Sequence, residues 1–596
     1  MLRLVPLQGR NILFLCLIGL VACTLAHRLL LAQSTTGGLT GTVFDPAHAV
    51  LPDAHIFLKN EATGAVLLAV SDAVGNYRFV NLAPGNYGVG VDVPGFAFFE
   101  SPHVVVELGR QTRLDVVLRI AAAKTTVQVA TNVVPFEKTT SPDFSTNFTS
   151  SDLLNLPSDS RRWSSFALLS PGVVSDQNGL GLLSFRGISV LLNNSTIDGA
   201  DNNQAFFSEE RGGTRAPYSI SMGAVEQFQV NTSNYSAEYG RSAGGVINTI
   251  TKSGSNALHG KAFIFDRNSA LAATNPFTTL TTAGPSGAFA TAPYKPAGDR
   301  RQMGFSVGGP IKKDRLFGFY SFEYVHKNYP AISRVGSPAA VFAQPLASIP
   351  AGTYLGFPIT CANLPPYNDG GGSSSTPATS AFYSSVFQFE ATQGACEIYD
   401  RLDMPSYQAG VAQYQKGLQL ITSLSGVVQR TGSQTLNFPK LDWQINNRNH
   451  ASFAYNRMHW NSLNGVQTQS SAQYGINSFG NDTLAMNWMT ARLNSFLTEN
   501  IGNEVRLHYG QELGSQTSPT PTGAEIPLAH NQFGYAPEIR IAGGSGGEGI
   551  VLGNPAKLPR PEYPNEHRMQ VSESLSWVRG NHLLKFGADW DRNYDV

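Results

Sequence analysis

The chain has 596 residues, more than one core of ordinary size organises, so several domains are expected. Basic and acidic residues number 42 each, and a net charge of zero argues against a nucleic-acid partner, which calls for a basic excess or stripe. Charged residues make up only 14 %, aromatics 10 %, and there are 59 glycines; this suits a β-rich protein that faces lipid on one side, and also an array of β-sandwiches.

Arg3 and Arg10 flank the start, and Asn11 to Ala26 is almost wholly apolar. The stretch is short for a spanning helix and sits at the N-terminus, so residues 1–32 read as an export signal. Cleavage after Ala26, cleavage near Ala32-Gln33, and acylation of Cys23 in the lipobox-like Leu20-Val21-Ala22-Cys23 all stay open. No later apolar run is long enough for a transmembrane helix, which leaves a soluble, a lipid-anchored or a β-barrel protein.

Short β-prone runs follow at 39–43, 55–58, 66–70, 77–79, 87–93 and 114–118. Asp45-Pro46, Gly75-Asn76, Pro84-Gly85 and Pro94-Gly95 separate them as turns, which predicts a β-sandwich over 37–120. The stretch from Asp72 through Gly75, Tyr77, Phe79, Leu82, Pro84 and Gly85 to Tyr87 carries a complete D-x-x-G-x-Y-x-F-x-x-L-x-P-G-x-Y pattern. It resembles the carboxypeptidase-regulatory-like family, whose members are non-catalytic prealbumin-like modules. Ala49-Val50 departs from that family, where a Gly commonly precedes the apolar residue.

Residues 121–145 read as a linker with one β-prone run, Thr126-Val127-Gln128-Val129. A short strand in a flexible stretch suits pairing with an exposed sheet edge of another protein. The run resembles a TonB box, with Lys124 and Thr125 where an acidic residue is usual. The alternative is a last sandwich strand plus linker.

In 146–257, Leu156-Pro157, Arg161, Trp163, Phe166 and Pro171-Gly172-Val173 predict a helix from Ser160 to Leu169 stopped before Pro171. Two β-branched runs, 225–230 and 246–251, flank a Tyr/Gly-rich turn and read as paired strands. The double glycine Gly244-Gly245 suggests a bulge or a close backbone approach. Ser184-Phe185-Arg186-Gly187, the run Asn193 to Asn202 with Asp198, Gly199 and Asp201, Val225-Glu226-Gln227-Phe228-Gln229-Val230, and Gly240 with Gly244 to Lys252 together resemble the plug domain of TonB-dependent outer-membrane receptors. Asp198, Asp201 and Asn202 lack EF-hand spacing and are expected to satisfy turn backbone groups.

From 258 onward, runs of about ten residues with period-two alternation predict roughly nine strands. They span 258–268, 301–309, 315–327, 436–446, 449–460, 482–496, 502–513, 567–578 and 582–594. The alternation is plain in Leu484/Met486/Trp488, Val505/Leu507/Tyr509 and Leu584/Phe586/Ala588/Trp590, and reads as a wall between lipid and a wet lumen. Short turns alternate with long polar connections at 269–300, 328–435, 461–481 and 514–566, the asymmetry of a transmembrane barrel. Gly308-Gly309-Pro310-Ile311-Lys312-Lys313-Asp314-Arg315-Leu316-Phe317 resembles a turn of Oar-like TonB-dependent receptors, which join a regulatory-like domain, a plug and a large barrel in this order. Such barrels close with about 22 strands, so 258–596 is expected to be a C-terminally truncated barrel.

The fold class expected is therefore mainly β: a prealbumin-like sandwich, an α+β plug and a partial antiparallel transmembrane barrel. The resemblance implies a receptor in the outer membrane of a Gram-negative-type cell, with lipid around its barrel. It also implies an extracellular ligand of unknown kind, and TonB with its inner-membrane energising complex as partner. A surface adhesin or carbohydrate-binding protein is the first alternative, and a secreted hydrolase using Ser242 the second.

Gly240-Arg241-Ser242-Ala243-Gly244 fits the nucleophile-elbow pattern, but a β-rich run follows where that motif needs a helix. Gly543-Gly544-Ser545-Gly546-Gly547 fits it too, inside a glycine-rich loop. No catalytic, metal or cofactor motif is read, since H-E-x-x-H, C-x-x-C and Walker A patterns are absent. Outside the signal, Cys361 and Cys396 share a Gly/Ser/Pro-rich segment without zinc spacing. In an oxidising compartment they read as one disulfide closing a loop.

Overall fold

The computed structural model describes residues 35–121, 127–128, 144–157, 161–175, 182–204, 210–211, 218–283, 289–367, 382–467, 469, 471–530, 534–542, 548–555, 565–580 and 582–595. The signal segment with Cys23, Thr126 and Val129 of the linker, and the Gly543–Gly547 run lie outside the described residues.

The first body is a two-sheet sandwich. Its strands are β1 (Gly37–Phe44), β2 (His55–Asn60), β3 (Val66–Val70), β4 (Asn76–Leu82), β5 (Gly85–Asp92), β6 (Phe99–Val106), β7 (Gln111–Arg113), β8 (Val116–Val117) and β9 (Val127–Gln128). One sheet has β1 between β4 and β7, with β8 also on β1; the other runs β3-β2-β5-β6-β9. Alternate residues point inward, and Leu39, Ile56, Leu58, Val89, Val91 and Val104 are wholly buried between the sheets. The Asp72 carboxylate accepts the N–H groups of Val74 and Asn76 at 3.0 and 2.9 Å, which shapes the turn before Tyr77. The Tyr77 hydroxyl then donates to the Leu114 carbonyl at 2.6 Å, and Tyr87 to Ala83 at 2.8 Å.

The central domain holds β10 (Phe144–Thr149), α1 (Ser150–Asn155), β11 (Val173–Ser175), β12 (Leu183–Phe185), β13 (Asn194–Ile197), β14 (Ala200–Asp201), β15 (Val225–Ser233) and β16 (Val246–Thr251). Its main sheet is mixed, in the order β10-β15-β16-β13-β14, and the two runs read as partners are an antiparallel pair. α1 carries a capping box between Thr149 and Asp152. The helix expected at 160–169 is instead a 3₁₀ helix, Trp163–Leu169. The physical reason is spacing: Trp163 and Phe166 are three apart, and a three-residue turn stacks both into the core while Pro171 stops any extension.

All nine long strands expected after 258 are present. β17 (His259–Asn268), β20 (Asp299–Lys312), β21 (Leu316–Asn328), β26 (Thr431–Asn446), β27 (Asn449–Ser462), β29 (Asn481–Thr498), β30 (Ile501–Thr517), β33 (Asn565–Arg579) and β34 (His582–Asp595) form one antiparallel meander in sequence order. Short elements fill the long connections: β18 (Thr279–Ala283), β19 (Phe289–Pro293), β22 (Ala331–Ser333), β23 (Thr353–Tyr354), β24 (Phe357–Pro358), β25 (Gly426–Val428), β28 (Ser471–Ala472), β31 (Ile539–Ala542) and β32 (Glu548–Leu552). Among the described residues β17 and β34 each pair on one side only, so the meander is an open wall.

Alternation sorts the wall into two faces. Met303, Phe305, Val307, Leu441, Leu507 and Phe586 are exposed on the outside, the apolar band that lipid requires. The inside packs on the central domain, and one core runs from Trp163 and Phe228 to Phe438, Met458, Met486 and Trp488. Two sequence readings change here. Leu484, Met486 and Trp488 do not face lipid; they pack inward, because the apolar edge of the central domain replaces water on that stretch. The connection 328–435, read as a polar loop, contains α2 (Pro338–Val341), α3 (Val386–Arg401) and α4 (Tyr407–Ser423). Ser385 and Ser406 cap α3 and α4 by accepting the N–H groups of Gln388 and Ala409. Val341, Leu418, Ile421, Ile550 and Leu552 give these connections a core of their own.

Candidate functional site

The site with the densest chemistry is the seat where the central domain meets the wall. It is built on the β13–β14 turn. Asp198 and Gly199 both take positive φ, +50° and +74°. The positive φ at 199 suits glycine, and a Cβ there would also have to displace the Arg506 guanidinium of β30.

Asp198 is buried, and its carboxylate accepts the Thr251 N–H at 3.0 Å and the Thr251 hydroxyl at 2.6 Å. Lys440 on β26 donates to the Thr251 hydroxyl at 2.8 Å and stands 3.8 Å from the Asp198 carboxylate. Asp201 binds Arg568 of β33 at 2.8 Å through one oxygen and Arg241 at 2.6 Å through the other. Its backbone N–H donates to Gln570 at 3.0 Å. Burial alone would raise both carboxyl pKa values. Lys440 and Arg492 with the Thr251 bonds outweigh it at Asp198, and Arg568 and Arg241 foremost at Asp201, so both sit below the ordinary value of 3.8.

Arg211 is fully buried, donates to Glu566 at 2.5 Å, stands 3.8 Å from Glu512, and lies over the Trp488 ring at 5.5 Å. Burial and the like charge of Arg568 lower its pKa, while Glu512 and Glu566 oppose them. On the opposite side Glu323 of β21 takes the hydroxyls of Tyr218 and Ser221 and the amide of Gln302. Gln434 and Asn456 donate to the carbonyls of Tyr218 and Ser219, each at 2.6 Å. Lys585 on β34 pairs with Glu238 at 2.6 Å. The central domain is thus bonded to the wall from β20 to β34, by ions on one flank and by neutral donors on the other.

The remaining sequence-selected residues divide. Gly245 lies on the Phe185 ring, where a Cβ would come within 2.1 Å, and Gly244 on the Asn193 amide at 2.2 Å. Arg186 and Gly187 form an exposed positive-φ turn. Glu226 is exposed, beside Lys252. The Gly240 carbonyl accepts from Asn194 at 2.8 Å. Ser242 donates its hydroxyl to the Gly245 carbonyl at 2.8 Å and closes the turn. Cys361 and Cys396 are bonded, with Cα atoms 5.2 Å apart, which ties the segment before α3 to that helix. Among the described residues no three His, Cys, Asp or Glu side chains are grouped to hold a metal.

At the end with the short turns the sandwich touches both other parts. Thr35 donates to Glu504 at 2.9 Å, Ser576 to Asn81 at 3.0 Å, and Gln229 and Asn147 to the Leu108 carbonyl at 3.2 Å each. Val127 and Gln128 lie parallel to β6, opposite Phe99 and Glu100, so the described part of the linker is paired with the sandwich edge. The sequence missed Arg211, Glu323, Lys440, Glu512, Glu566 and Arg568. For the five wall residues a charge at an inward position of an otherwise alternating strand was the available signal; Arg211 lies on no strand and carried none.

An open antiparallel β-wall with an apolar outer band, packed on a central domain through buried charges, is the architecture of part of an outer-membrane barrel. Residues 250–596 match the outer membrane beta barrel domain family, and the chain belongs to that family. Its place is the outer membrane. Residues 38–119 match the carboxypeptidase regulatory-like domain. The TonB-dependent transporter Oar of Myxococcus xanthus is 29% identical over 321 residues, covering 49% of this chain and 27% of that protein. Among solved structures, the outer-membrane transporter YddB of Escherichia coli aligns with a TM-score of 0.44 at 12% identity, over 75% of this chain and 48% of that one. The ferric enterobactin receptor PfeA of Pseudomonas aeruginosa gives 0.42 at 12%, over 76% and 49%. The chain therefore spans about half the length of these solved proteins and about a quarter of the curated relative.

Proposed function

We propose that the chain is part of an Oar-like TonB-dependent receptor that binds an extracellular ligand and gates its passage through a plugged barrel. The observation that carries this reading is the seat itself. A domain held inside a wall by buried ion pairs such as Asp201–Arg568 is secured by bonds that break together when one partner moves, as a gate requires. The named relative, a TonB-dependent transporter, supports the same reading. No catalytic role is assigned, and the use of the Ser242 hydroxyl within its own turn supports that.

TonB is the partner under this reading, and 126–129 its contact. Among the described residues β9 ends the sheet β3-β2-β5-β6-β9 and pairs on one side only, which is the arrangement that strand addition uses. Val127 and Gln128, the described part of the segment, already pair with β6 on one side, as the alternative of a last sandwich strand also expects. Val127→Pro removes a backbone donor and fixes φ, which strand addition does not tolerate. Pull-down of solubilised outer-membrane protein by the TonB C-terminal domain is expected to be lost in this variant. Unchanged capture would reject this run as the TonB contact and leave 125–129 as plain linker, whereas no capture of the unaltered protein would leave the adhesin reading in its place.

A further inference from the structure

The long connections form a groove that the seat does not use. α3 and α4 pack closely where Gly410 meets the Ala395 carbonyl, and the disulfide anchors α3. Between these helices, α2 and the β31–β32 hairpin lies a cavity of about 590 Å³. That is the size of a small-molecule site, and its walls are mainly apolar. Leu418, Leu420, Ile421, Ile398 and Ile541 line it, and Leu420 and Ile539 are each 37% exposed.

Two further features mark it as a binding groove. Gly417 lies inside α4, where glycine is less favourable than alanine. Nothing stands within 4 Å of its Cβ position, so the residue leaves open space beside the cavity. Among the described lining residues Glu390 supplies the one charge. A carboxylate at the mouth of an apolar groove repels an anionic amphiphile, and covering it with a purely apolar molecule would leave a charge desolvated without a partner.

We propose that this groove binds a small amphiphile with an apolar body and a cationic head, the body against Leu418, Leu420 and Ile541 and the head at Glu390. This deepens the receptor reading by naming a ligand class and rests on the long connections facing outward. It does not depend on the TonB contact. An exposed carboxylate–ammonium pair is worth less than about 1 kcal/mol, so the head contributes selectivity of about two- to fivefold and the apolar walls supply the affinity.

The test is photolabelling in isolated outer membranes with a diazirine-bearing alkylamine and the alcohol of equal chain length, mapped by peptide mass spectrometry. Peptides of α3, α4 and β31–β32 are expected to take the amine about two- to fivefold more than the alcohol. Glu390→Gln should remove that preference. Gly417→Trp should suppress both labels there while the lipid-facing peptide with Leu507 and Tyr509 labels as before. If Gly417→Trp disturbs the belt labelling as well, Leu420→Gln, at an exposed position, replaces it. Absent labelling in the unaltered protein, equal amine and alcohol uptake, or labelling unmoved by these variants would each overturn the proposal. Val127→Pro leaves groove labelling unchanged, so failure of the groove and failure of TonB coupling are read separately.

Discussion

Arg568 on the barrel wall holds its Nη1 2.8 Å from Asp201 Oδ1 on the plug, and both side chains are buried. One guanidinium from a strand and one carboxylate from a turn thus join segments 367 positions apart in the chain. Each charge has given up water for the other, and that makes the contact sensitive to loss of either partner.

Asp201→Asn or Arg568→Gln alone should therefore unseat the plug. Breaking a buried pair by removing one partner costs about 3–5 kcal/mol, with the lower end expected here because Arg241 still pairs with Asp201 and Asp591 stands 3.5 Å from Arg568. Arg211 is wholly buried in the seat, so tryptic cleavage after it reports opening. Cleavage should quicken on the order of 100-fold or more in native membranes. The double variant should be closer to the unaltered protein than either single one, and additive effects would show that the pair is uncoupled.

Acid should act at the same place. The carboxyl pKa values of Asp198 and Asp201 are depressed below 3.8 in the folded protein. Their contribution is thus complete above the unfolded value, and it is lost as pH falls through the folded values. The urea midpoint of plug unfolding should hold steady from about pH 6 to about pH 4 and then drop, with Asp201→Asn reducing the drop. A midpoint falling mainly above pH 5 would point to other groups.

Reduction of Cys361–Cys396 should loosen the outer helices and spare the barrel. The bond closes a loop of 35 residues, worth about 3–4 kcal/mol in the chain-entropy account. Hydrogen exchange in α3 and α4 should rise under reductant while β29 and β30 stay protected. Labelling of both cysteines in unreduced, denatured protein would show that the bond does not form in the envelope.

The sandwich should fold by itself. Residues 38–119 carry their own core, from Leu39 to Leu118. Expressed alone they should give a β-type circular dichroism spectrum and bind no metal. Tyr77→Phe should cost about 1–3 kcal/mol, since it orphans the buried Leu114 carbonyl. Its thermal midpoint against that of the unaltered sandwich measures the loss.

Local rules made much of this chain legible. Period-two alternation placed the nine wall strands, and the Asp72-to-Tyr87 pattern placed the turns of the sandwich, because strand pleat and turn chemistry act over a few residues. The double-glycine reading reached Gly244 and Gly245, where the Asn193 amide and the Phe185 ring leave no room for a Cβ, while Gly199 was reached only through the resemblance. Local rules did not reach the side of the wall that Leu484, Met486 and Trp488 face, since alternation fixes two faces without saying what lies against each. Nor did they reveal α3 and α4; the apolar residues Leu418 and Ile421 of α4 pack with Val341 and Phe342 some eighty residues earlier and with Ile550 and Leu552 more than a hundred residues later. Above all, Arg211, Glu566 and Arg568 read singly as ordinary surface charges. Only the tertiary structure brings them together in a space without water, and it is the exclusion of water that turns scattered charges into the seat of the plug.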